Sequence, residues 1–131
     1  MEAHRQATGC SETISGGAGL RVGYLDSSAL LGIAFEEPGF ERRIEQVESM
    51  TRIFSSNLLE AEVRSALMRE GLADSGPAEI LEKIDWVFPD RPLTREISDV
   101  LTAGYLRGAD LWHLACALYL RGSHDGVELL S

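Results

Sequence analysis

Four short β-prone runs alternate with helical stretches from Val22 onward, and this alternation constrains the chain more than any other feature. The runs are "VGYL" (22–25), "TRIFSS" (51–56), "WVFP" (86–89) and "GVELL" (126–130). Between them, apolar residues recur at helical spacing over 27–35, 40–50, 57–71, 78–84, 94–106 and 110–120. Strands separated by helices with short connections pair in parallel, which predicts a parallel sheet with helices on both faces. Glycine and proline punctuate the joints at Pro38, Gly39, Gly71, Pro77, Pro89 and Gly108. Asn57, Thr94 and Asp110 stand where N-caps are expected.

A chain of 131 residues fits one domain with a real core. Residues 1–20, "MEAHRQATGCSETISGGAGL", are polar, small and without periodicity, and read as a flexible leader. The domain is expected over 21–131, with natural translation starting near Leu20 or Val22. No apolar run is long enough to span a bilayer, and the N-terminus has no signal-peptide pattern. Cys10 lies in the polar leader and Cys116 in an apolar helix, so no disulfide framework is expected and the protein reads as cytosolic.

The net charge of −9 argues against nucleic-acid binding through a broad basic face. It leaves open an enzyme that clusters carboxylates around a divalent cation and lets the metal meet the phosphate. Three acids stand in unusual places. Asp26 follows the first strand, where ligands bind in an open parallel sheet. Taken alone it is more simply a helix cap, although Ser27 or Ser28 can cap the same helix. Glu62 falls inside the apolar stripe of "NLLEAEVRSALMR", formed by Leu58, Leu59, Val63, Ala66 and Leu67. A carboxylate facing a core is costly unless paired or metal-bound. A stripe-edge position or an arginine partner is the rival account. Glu60 behaves ordinarily, with Arg64 one turn later. Asp110 opens "LWHLACALYL", a helix apolar on nearly every side, and can cap it and face the same crevice.

His113 is expected to be a hydrogen-bonded packing residue, and Trp86 and Trp112 are expected in the core. Converging carboxylates with little histidine or cysteine suit a hard cation, Mg²⁺ or Mn²⁺. Other chemistries lack their motifs: there is no G-x-x-x-x-G-K-[ST] loop, no G-x-S-x-G elbow and no C-x-x-C. An aspartate-nucleophile phosphatase would place a second Asp where Ser28 stands.

"YLDSSALL", "EAEVRSAL" and "LRGADLWHLACAL" resemble, in order, three motifs of PIN-domain ribonucleases, most nearly the VapC-like toxins of toxin–antitoxin modules. The resemblance spans 21–131. It implies a three-layer α/β/α sandwich around a parallel sheet, and Mg²⁺- or Mn²⁺-dependent cleavage of RNA. It places metal-binding, catalytic acids at Asp26, Glu62 and Asp110, with Ser28 supporting the first. The spacing to "SAL" favours Glu62 over Glu60. His113 matches a family position with a structural role. The resemblance also implies a basic antitoxin partner and a homodimer, for which the amphipathic 40–50 region is available beside its default core-facing role. A solitary RNA-processing nuclease and a catalytically inactive interaction module are the alternatives. The family's fourth acid follows the strand that corresponds to "GVELLS", after which this sequence stops. Asp125 precedes that strand and Glu128 lies within it, so neither stands in. The expectation is a shortened sequence, with a degenerate family member as the alternative; either way the site as given is incomplete, with one weakly held ion. The arginines expected near RNA are Arg64, Arg69, Arg107 and Arg121, each with ordinary surface pairing as the simpler account.

Overall fold

The computed structural model describes residues 20–72 and 77–131. The expected leader lies outside the described residues apart from Leu20, as does Cys10. Strands β1 (Val22–Leu25), β2 (Arg52–Ser56), β3 (Ile84–Val87) and β4 (Val127–Leu130) form one all-parallel sheet in the order β3-β2-β1-β4. The chain first steps in one direction, from β1 to β2 to β3. These steps carry helices α1 (Ser27–Ala34), α2 (Phe40–Glu48), α3 (Leu58–Arg69) and α4 (Ala78–Lys83). It then returns past β2 and β1 to β4 through α5 (Thr94–Ala103) and α6 (Gly108–Arg121). Right-handed crossovers put helices of opposite steps on opposite faces. The result is the expected three-layer α/β/α sandwich.

Two apolar cores fill the space between layers, because successive strand side chains alternate between faces. Leu25, Ile53, Ile84 and Leu130 meet α1, α2 and α3 on one face. Val22, Tyr24, Phe54, Val87 and Val127 meet Ala115, Cys116 and Leu120 of α6 on the other. Trp86 packs against the first core and Trp112 against the second, as expected of core residues. In α2, Val47 is buried and Ile44 packs on the first core, so its apolar face serves the fold. Gly23 permits the closest approach in the sheet: a Cβ there would lie 2.9 Å from Cδ1 of the buried Leu130.

Several boundaries differ from the expectations. β3 begins at Ile84, two residues before "WVFP", because Ile84 and Asp85 pair with Ile53 and Phe54 of β2. Thr94 is the first helical residue of α5, with Leu93 in the cap position. That helix ends at Ala103 rather than 106, where Gly104 takes up an extended conformation. Asn57 occupies the cap position of α3 but makes no side-chain cap; Leu58 N–H donates to Ser56 Oγ at 3.2 Å instead. Gly71 does end α3, at φ 75°. Its N–H donates to Met68 O and that of Leu72 to Leu67 O, a Schellman closure. α1 closes in the same way with Glu36, at φ 52°, in the left-handed position.

Among the described residues no helix is long and apolar enough to cross a membrane. Cys116 is a free, buried thiol whose pKa burial pushes up to about 12, so it stays protonated and inert.

Candidate functional site

The strand order reverses at β1, whose two neighbours are reached from opposite faces of the sheet. Crevices beyond the carboxyl ends of strands form at such switch points. Asp26 stands there, one residue past β1, held by its N–H donating to Leu130 O of β4 at 3.0 Å. The expectation that the serines cap α1 and leave Asp26 free is corrected. Asp26 is itself the N-cap, with extended backbone angles (φ −98°, ψ 169°) and Oδ1 accepting from Ala29 N–H at 3.2 Å. Ser28 Oγ donates to the same Oδ1 at 2.7 Å, so this serine supports the acid rather than replacing it. Both bonds fall on one oxygen. Among the described residues no hydrogen bond engages Oδ2, so capping occupies one oxygen of the carboxylate and leaves the other unengaged.

Glu62 lies one turn into α3, partly buried, beside core residues Leu59 and Val63. Its partner is not an arginine. His113 Nε2 is 2.8 Å from Glu62 Oε1, and His113 Nδ1 is 3.0 Å from the hydroxyl of Tyr24 on β1. Ser56 N–H donates to that hydroxyl at 3.2 Å. His113 is thus the expected hydrogen-bonded packing residue, with both ring nitrogens engaged and 3% exposure. The contact joins α3 on one face to α6 on the other, around the carboxyl edge of the sheet. Tyr24 went unnoticed in the sequence because it reads as one more apolar strand residue. The available signal was a pair of misfits, a Glu and a His each inside an apolar stripe and each needing a partner. Burial pushes the Tyr24 phenol well above its ordinary range, so it stays a hydrogen-bond donor.

The expectation that Asp110 caps α6 is also corrected. The helix starts two residues earlier at Gly108, with Arg107 in the cap position, since the extended Arg107 already presents its carbonyl to Leu111 N–H at 2.8 Å. Asp110 sits in the first turn, half-exposed, where the helix dipole favours its charge, and pairs with Arg107 at 3.4 Å. The other named arginines are also engaged: Arg64 with Glu60 at 3.0 Å, Arg69 with Glu70 at 3.3 Å, and Arg121 with Val127 O at 3.4 Å. Such exposed pairs contribute little to stability and break readily.

The structure brings Asp26 to Ser28, Glu62 to His113, and Asp110 to Arg107. Among the described residues no three of His, Cys, Asp and Glu lie close enough to hold a metal ion between them. The donor chemistry still fits a hard cation. Among the described residues, Asp26 and Glu62 each have one oxygen anchored by protein donors and a second without an intramolecular hydrogen bond. Mg²⁺ commonly takes only one or two carboxylates and completes its shell with water and substrate phosphate.

A family model described as PIN domain matches residues 23–124. Proteins of that family are generally metal-dependent nucleases, many of them acting on RNA. No curated protein and no solved structure matches the chain.

Proposed function

The chain belongs to the PIN domain family, and from that premise we propose that it is an Mg²⁺- or Mn²⁺-dependent endoribonuclease, the toxin of a toxin–antitoxin pair. The observation that carries the reading is the half-anchored state of Asp26 and Glu62. A carboxylate that served only as a cap or an ion-pair partner would have no need of a second such acid near the same sheet edge. In this reading Asp26, Glu62 and Asp110 are the catalytic acids and hold the ion, and the domain is the 21–131 segment. When bound, the ion supplies charge stabilisation at the scissile phosphate and a more acidic water. The chain's own contribution is to fix the acids: Ser28 and the start of α1 hold Asp26, and His113 holds Glu62. Arg107 lies beside Asp110, where a substrate phosphate can exchange places with that carboxylate.

The antitoxin part of the proposal is supported by an open groove between the end of α1, α2 and α4. Phe35, Phe40, Ile44 and Ile80 line it together with three acids, Glu36, Glu48 and Glu79, and one base, Lys83. An apolar floor among acids suits an amphipathic partner segment carrying basic residues. Homodimerisation and a cytosolic location complete the reading.

The test is cleavage of single-stranded RNA by the purified full-length protein, with Mg²⁺ and with EDTA. Metal-dependent cleavage lost in Asp26→Asn and Glu62→Gln is expected. Cleavage that survives both changes refutes the site. No metal-dependent cleavage by the partner-free, complete gene product overturns the nuclease reading in favour of an inactive interaction module.

A further inference from the structure

We infer that Tyr24 and His113 form a clamp that positions Glu62, presenting one carboxylate oxygen to a cation while holding the other. The inference rests on Glu62 being a cation ligand, as proposed above, and names what aims it.

The direction of each hydrogen bond follows from the donors available. Ser56 N–H donates to the Tyr24 hydroxyl, which must then place its own proton elsewhere. Two acceptors are near, the weakly accepting thiol of Cys116 and His113 Nδ1 at 3.0 Å, and the imidazole nitrogen is much the stronger. A histidine that accepts at Nδ1 carries its proton on Nε2 and donates it to Glu62 Oε1, at 2.8 Å. One tautomer therefore satisfies every group, and the donors run in one direction from the β2 backbone to the carboxylate. The ring is locked as well as bonded. Tyr24 is fully buried, and its ring meets the imidazole edge-on at a centroid distance of 6.0 Å.

The circuit also fixes the helix that carries the acid. Ser56 donates to Tyr24 through its N–H and accepts Leu58 N–H through its Oγ, at the first residue of α3. Glu62 follows Leu58 by four residues and so lies on the same face one turn later. The start of α3 and the head of Glu62 are thus tied to one tyrosine by two separate routes. A free glutamate loses rotamer freedom when it takes up an ion. Here His113 has already removed much of it, and among the described residues Oε1 is engaged while Oε2 is not. Tyr24 and His113 touch neither substrate nor ion and are positioning residues. Such partners of a metal-ligating carboxylate commonly contribute 10–100-fold in metal affinity.

The test uses the full chain and Mn²⁺ alone, with affinity read by electron paramagnetic resonance. Tyr24→Phe removes one hydroxyl and keeps the buried ring. It is expected to weaken Mn²⁺ binding roughly 10-fold while unfolding stays cooperative. His113→Gln, which keeps an N–H donor, is expected to retain more affinity than His113→Leu. Tyr24→Phe should add nothing further in the His113→Leu background. A second readout needs no metal and no variant: ¹⁵N NMR of His113 should show the Nε2-protonated tautomer. An Nδ1-protonated ring, or Mn²⁺ affinity within about twofold of wild type in Tyr24→Phe while Glu62→Gln weakens it, overturns the clamp and leaves the cation site standing. Unchanged affinity in Glu62→Gln, or no Mn²⁺ binding by the wild type, overturns the cation reading itself.

Discussion

Replacing Asp26 by Asn and by Ala separates two roles that one side chain combines. The carboxylate caps α1 through Oδ1, which takes Ala29 N–H at 3.2 Å and Ser28 Oγ at 2.7 Å. Asn keeps an oxygen at that position, and Asn and Asp are equivalent caps. What Asn loses is the charge near the helix N-terminus, about 0.5 kcal/mol at a partly buried position. Ala loses the cap as well, about 1 kcal/mol more, and leaves Ser28 without its acceptor. With roughly 4 °C of Tm per kcal/mol for a domain of this size, Asn should lower Tm by about 2 °C and Ala by about 6 °C. Activity should not follow that order. Both variants lack the anionic oxygen, and losing about 3 kcal/mol of charge stabilisation corresponds to roughly 100-fold in rate. Scanning calorimetry and an Mg²⁺-dependent RNA cleavage assay on the same preparations make the comparison. Cleavage that tracks Tm, with Asn near wild type and Ala impaired, would show that Asp26 is a cap and nothing more.

Gly23→Ala should cost about 1–3 kcal/mol in urea unfolding, because the new Cβ would lie 2.9 Å from Leu130 Cδ1 and 3.2 Å from Met50 Sδ, both in the packed core; an unchanged midpoint would show that this part of the core is loose. Glu36→Gly should stabilise by about 1 kcal/mol, since Glu36 holds the left-handed position (φ 52°) that closes α1; no gain in Tm would mean that the side chain offsets the strain. Arg91 bonds both oxygens of Glu96 and holds its pKa at about 2. A folded-state pKa below the unfolded value of about 4.3 stabilises above that value and is lost as pH falls through it towards about 2. Glu96→Gln should therefore flatten the decline of the urea midpoint between about pH 5 and pH 2, and an identical decline in the variant would rule the pair out as its source.

The alternation of apolar runs was enough to determine a parallel sheet with helices on both faces, because strand and helix periods are local properties of the chain. Asp26 and Glu62 were legible for a related reason: each breaks a local pattern, one at a strand end and one inside an apolar stripe. Helix starts were less legible. Asp110, Thr94 and Asn57 all have capping side chains, yet Arg107 and Leu93 hold two of the cap positions, and Asn57 makes no side-chain cap while Ser56 Oγ, one residue earlier, accepts the N–H of Leu58. Where a helix begins depends on where the preceding strand delivers the chain, and that is set by sheet register. Tertiary structure alone decided the partner of Glu62. Tyr24, Glu62 and His113 are far apart in sequence, on elements whose meeting depends on β4 lying beside β1 and α6 covering the opposite face from α3. No local pattern encodes that meeting. It follows from the reversal of strand order, which brings a partly buried glutamate and a buried histidine within hydrogen-bonding distance and lets each satisfy the other.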